Sequence, residues 1–220
     1  ATVHVKFDNP IFNGTAFDQL TIKFALPATP PATSTQTVQA GLFWGTASNP
    51  VGVNPSIFVD NSSDLFMYCY DIYEHINHGQ DVDYSLSFFG ATARTLDFLG
   101  AVNSVLSTTS DPFAWLHPAN GNQGAAIQLG IWESLYDADW NIGDGNFKVT
   151  AGMDAATGTA LKSFLDAIPG SNALDQSFTM VLEARGAQDM ITGRKPQFEP
   201  ATDIPEPGSL ALIGLGLIGL

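Results

Sequence analysis

Ala125-Ala126-Ile127-Gln128-Leu129-Gly130-Ile131-Trp132-Glu133-Ser134-Leu135-Tyr136 is the stretch on which the reading of this chain turns. At helical period, Gln128, Ile131, Trp132 and Leu135 fall at i, i+3, i+4 and i+7, so one face is apolar except for a carboxamide at its start. A buried amide without partners costs roughly 1–3 kcal/mol. A Gln on a core stripe is therefore held by hydrogen bonds or used in chemistry. The chain has one thiol, Cys69. The expectation is that Cys69 and Gln128 meet in the fold as the partners of an internal thioester.

Upstream of that helix, Asp64 to Tyr73 forms an apolar run of strand length, in which Leu65, Met67 and Cys69 share one face and Phe66, Tyr68 and Tyr70 the other. Period-2 alternation predicts strands over 3–7, 20–26 and 82–88, with a further strand through Val38, Ala40, Leu42 and Trp44. The Pro/Thr-rich stretch 27–36 and the Gly/Asn/Pro cluster 45–55 read as loops, because proline lacks the amide donor a ladder needs. Helical spacing recurs from about Thr92 to Leu106. It recurs again from Asp154, a good N-cap, to Ile168 before Pro169-Gly170. A last strand is expected over 178–184. Strands at both ends around a helical middle predict an α+β domain, with sandwich- or barrel-like strands and a helical lobe inserted at about 92–168. The expected organisation is a globular domain over 1–193, a linker over 194–203 and an apolar sorting segment over 204–220.

Composition narrows the function classes. The chain has 220 residues, 45% hydrophobic and 14% charged, enough to bury a sizeable core. A net charge of −14 repels phosphate backbones, and no basic stripe is interleaved with aromatics, so no nucleic-acid partner is expected. Electrostatic attraction to anionic lipid is disfavoured for the same reason. One cysteine excludes an intramolecular disulfide framework. The opening Ala1-Thr2-Val3 has the appearance of a signal-peptidase product or a trimmed chain. The residues from Ser209 to Leu220 are almost uniformly apolar but fewer than the roughly 20 that span a bilayer as a helix.

Ile204-Pro205-Glu206-Pro207-Gly208 followed by this Gly/Leu-rich run resembles the PEP-CTERM sorting signal of Gram-negative envelope proteins; the basic cluster of that signal is not matched. Pro205, Glu206 and Pro207 are the sorting residues this resemblance implies. Its implied partner is an exosortase-type enzyme, with transient membrane anchoring through the tail and an association with exopolysaccharide and biofilm. Separately, Tyr68-Cys69 and Ile127-Gln128-Leu129-Gly130-Ile131-Trp132 resemble the paired motifs of bacterial thioester domains, and Gln188-Asp189 matches a pair found late in such domains. The resemblance spans about Leu65 to Ile191. It implies adhesion by covalent attachment to an amine- or hydroxyl-bearing surface or matrix polymer, or to another copy of the chain.

The chemistry needs proximity and dryness. Fixed placement gives effective molarities on the order of 10⁵ M. Tyr68, Ile131 and Trp132, with Trp115, are the expected wall that keeps water out. Such a device is a single-use clamp, not a turnover enzyme, and calls for no cofactor. Taken singly, Cys69 reads as a small buried hydrophobe and Gln128 as an amide bonded to a loop carbonyl. Two rival functions stand beside the clamp: a self-assembling filament or sheath subunit whose apolar tail packs on its neighbours, and a non-covalent carbohydrate-binding module. Asp137-x-Asp139-x-Asn141-x-Gly143-Asp144 resembles the start of a calcium loop. Its glycine is one position late and Lys148 occupies the place of the closing Glu, so it reads first as a polar turn after the helix, with no metal assigned and calcium the lesser alternative. His75 and His78 lack a third ligand pattern and read as loop residues.

Overall fold

The computed structural model describes residues 1–12 and 17–197; the sorting residues Pro205, Glu206 and Pro207 lie outside them. The described residues form β1 (Thr2–Phe7), β2 (Asp18–Leu26), β3 (Ala32–Ala40), β4 (Phe43–Val51), β5 (Leu65–Cys69), β6 (Asp81–Ser87), α1 (Ala93–Leu106), α2 (Gly121–Tyr136), β7 (Phe147–Ala151), α3 (Ala155–Ala167), β8 (Thr179–Glu183) and β9 (Met190–Gly193). Six strands close into a barrel in the order β1-β4-β5-β9-β8-β6, and β3-β2-β7 form a separate antiparallel sheet. Alternate residues Val3, Val5, Phe7, Phe43, Ala47, Leu65, Met67, Val82 and Tyr84 are buried, as in a small barrel filled by its own side chains.

The α+β class and the barrel agree with the sequence pattern, but several boundaries differ. The stretch 27–36 is not all loop. Past Pro31 every residue has an amide donor, and Ala32 to Ala40 pairs along the whole of β2. The strand expected through Val38 to Trp44 is two strands, broken at Gly41-Leu42, one in each sheet. β4 then continues through the supposed loop to Val51. A register shift opposite Thr2 to His4, with Asn49 at φ 50°, makes the bulge that lets Pro50 sit in a strand. The helical lobe is also interrupted, because β7 leaves it to pair with β2.

α2 is central rather than amphipathic. Every residue from Gly124 to Ser134 is buried, and the helix packs against α1, α3 and the β3-β2-β7 sheet. Small residues permit this: a side chain at Gly130 would fall within the Phe98 ring of α1. The start of α2 is fixed by Asn120, whose side chain accepts from the Gln123 amide, while Gln123 Oε1 accepts from Ala119 N–H. Thr92 caps α1 in the same way. Asp154 occupies the N-cap position of α3, but its carboxylate makes no capping bond; Asn122 Nδ2 lies 3.5 Å from it instead.

Candidate functional site

β5 ends at Cys69, two residues beyond Met67, the last of its residues paired with β4. The Cys69 N–H and C=O on that side therefore lack a ladder partner. Gln128, fully buried on α2, supplies one. Cys69 N–H donates to Oε1 at 2.8 Å, and Nε2–H donates to Cys69 O at 2.9 Å. The carboxamide takes the place of a missing strand residue, and the two residues joined are 59 positions apart.

The next turn of α2 repeats the contact. Trp132 Nε1–H donates to Asp71 O at 3.1 Å. Four helical residues rise about 6 Å and two extended residues about 6.6 Å, so Gln128 and Trp132 match Cys69 and Asp71 in step. Gln188 Nε2 donates to the same Asp71 oxygen at 2.9 Å, and the Asp189 amide donates to Asp71 Oδ2 at 2.6 Å. Tyr70 N–H donates to Asp189 O, and Tyr84 O–H to Gln188 O. The Gln188-Asp189 pair thus closes on the residue two beyond Cys69. Asp71 was missed in the sequence because its role rests on contacts with residues over 60 and nearly 120 positions away.

Cys69 lines a cavity of about 280 Å³ together with Phe43, Ile72, His75, His78, Trp132 and Gln188. Of the expected wall residues, Trp132 lines this cavity. Tyr68 and Ile131 do not line it, nor does Trp115. Strand alternation turns Tyr68 away from Cys69, where its ring stacks on Trp115 and its hydroxyl donates to Trp115 O. Ile131 is wholly buried in the core. Burial, and secondarily the negative charge of Asp71, pushes the Cys69 thiol well above its ordinary pKa, so it is protonated at neutral pH. His75 and His78 are exposed on the cavity rim, and His78 Nδ1 accepts from Ile11 N–H at 2.9 Å.

At the other end of α2 the polar turn has a different composition from the loop read in the sequence. Asp139 Oδ1 accepts from Asn141 N–H, and exposed Asp144 pairs with Lys148 at 3.3 Å. Ligand atoms of Glu133, Asp137 and Asp139 lie within 4.8 Å of one another. Glu133 went unnoticed because an acidic residue on a helix reads as solvent-facing until the helix proves to be buried all round.

With this geometry in view, the comparisons with known proteins bear on the tail. Residues 203–220 match the PEP-CTERM protein-sorting motif. The motif marks proteins exported and sorted to the extracellular space or outer envelope, with an exosortase-type enzyme as sorting partner. No curated protein and no solved structure matches the chain.

Proposed function

We propose that this exported protein attaches covalently to a surface or matrix nucleophile through a thioester between Cys69 and Gln128. The observation that carries the reading is the two-point pairing of the Gln128 carboxamide with the backbone of Cys69, a residue that lines a cavity. In thioester formation the Cys69 sulfur bonds to Cδ of Gln128 and the Cδ–N bond breaks; the thiol proton leaves with the nitrogen as ammonia. Negative charge develops on Oε1, the atom that already accepts the Cys69 N–H, so a donor is in place before the reaction begins. An incoming amine or hydroxyl would then bond to Cδ and break the C–S bond. Its proton returns to sulfur and the partner remains on residue 128. The resemblance of Tyr68-Cys69 and Ile127 to Trp132 to thioester-domain motifs supports the same assignment.

The same two hydrogen bonds would also serve as a purely structural clamp, and intact mass separates the two. Wild-type protein should be one ammonia lighter than its sequence and gain one methylamine on residue 128 when treated. Cys69→Ala should show neither change. A full-mass wild type with residue 128 still Gln by peptide mapping, a free thiol and no adduct overturns the thioester. The self-assembling-subunit alternative rests on the tail outside the described residues.

A further inference from the structure

Glu133 is completely buried, and neither carboxylate oxygen makes a hydrogen bond of good geometry among the described residues; the nearby Asn141 N–H is directed to Asp139 Oδ1 and favours the charged form of Glu133 only weakly. Leaving an ionised carboxylate in that state is costly, so such a group takes up a proton, is paired or holds a metal. Its neighbours make the last option concrete. One turn on, Asp137 and then Asp139 bring ligand oxygens within 4.8 Å of it and of each other, the largest separation that two oxygens about 2.4 Å from one ion can have.

We propose that Glu133, Asp137 and Asp139 bind a calcium ion at the C-terminal end of α2. Three carboxylates face one guanidinium. Arg94 donates from Nη1 to Ala138 O at 3.2 Å and from Nη2 to Asp139 O at 2.8 Å. It is directed at the loop backbone and makes no salt bridge to Glu133 within 4.0 Å among the described residues. The cluster therefore carries a formal charge of −2 when ionised, which a divalent cation neutralises. The helix end adds to the attraction, since carbonyls and the negative end of the macrodipole gather there. All donors are oxygen, a set that suits calcium, magnesium and manganese better than the sulfur- and nitrogen-seeking metals. An irregular loop with one exposed ligand suits the flexible coordination of calcium better than the rigid octahedron of magnesium. Export places the site where calcium is plentiful. The site differs from an EF-hand loop: the buried ligand comes from the helix before the aspartates, and Asp144 takes no part.

Burial, reinforced by Asp137 and Asp139, pushes the Glu133 carboxyl up to about 8. Because Glu133 follows Trp132 directly, the ion would pin the end of the helix that carries Gln128.

The test is calcium titration of the chelator-treated full chain by calorimetry, with thermal melting alongside. One saturable site at about 1 mM or below is expected, in the range of extracellular calcium modules, with a rise in Tm. Glu133→Gln and Asp139→Asn should each weaken binding at least tenfold. Asp144→Asn, with the same change of charge in the same loop, should leave it unchanged. Asp139 is exposed, so its variant tests the site even if Glu133→Gln does not fold. No binding, equal weakening by Asp144→Asn, retention of binding in Asp139→Asn, or tighter binding of magnesium than calcium would each overturn the proposal.

Discussion

Opening the proposed cross-link should cost stability by an amount the chain separation sets. A bond between residues 69 and 128 closes a loop 59 positions long, and the loop-entropy relation used for disulfides assigns such a constraint about 4 kcal/mol at 25 °C. Methylamine breaks the cross-link but leaves both backbones in place, so treated wild type should lose up to about 4 kcal/mol. Cys69→Ala should lose the same amount plus about 1 kcal/mol for a small buried side chain. The structural clamp gives a different ordering. The Cys69 groups that bond Gln128 are backbone atoms, so Cys69→Ala would cost only about 1 kcal/mol and methylamine nothing. Gln128→Ala would cost about 3–5 kcal/mol by leaving a buried N–H and C=O unpaired. Urea titrations of untreated, methylamine-treated, Cys69→Ala and Gln128→Ala proteins separate the two. A treated wild type whose midpoint and mass equal those of the untreated protein, with Cys69→Ala within about 1 kcal/mol of both, would refute the covalent account.

Three further perturbations follow from the same contacts. Gly130→Ala places a methyl within the buried Phe98 ring and should destabilise by about 3 kcal/mol in urea; a loss below about 1 kcal/mol would show that α1 and α2 do not pack as described. Trp132→Phe removes the Nε1–H donor to Asp71 and opens the wall beside Cys69. Its methylamine adduct should form faster by mass spectrometry, and an unchanged rate would remove Trp132 from the wall. Glu133 has a folded pKa near 8 against an unfolded value near 4.5, so folding takes up a proton between those values. In chelator, its contribution is fully present below about pH 4.5 and lost as pH rises towards 8, about 1.4 kcal/mol per unit and about 5 kcal/mol in all. Glu133→Gln should abolish that slope in chemical denaturation, and coincident wild-type and variant slopes would contradict it.

The pieces legible in the sequence were those with local causes. Alternation gave β1, β2 and β6, and turn residues ended the helices near their observed positions. β3 and β4 were misdrawn because neither break has a strong local mark: Gly41-Leu42 divides two sheets, and Pro50 stays in its strand only through a bulge opposite β1. The brief strands β7 and β9 went unnoticed, since four or five residues carry too little pattern to stand out. At the site, the residue pair Cys69 and Gln128 was visible as an anomaly of type: one thiol, and one carboxamide on an apolar stripe. Asp71 and Glu133 showed no such anomaly, being ordinary acids in sequence.

By itself the sequence determined the α+β class, the acidic export-tail character and the identity of the two residues that should meet, because composition, period and residue scarcity are properties of the string. What only the tertiary structure decided is how they meet. The carboxamide lies along the strand end as a substitute ladder, Trp132 faces the cavity, and Glu133 is buried rather than solvent-facing. Each of these depends on how α2 packs against segments distant in sequence, and no local interaction specifies that placement.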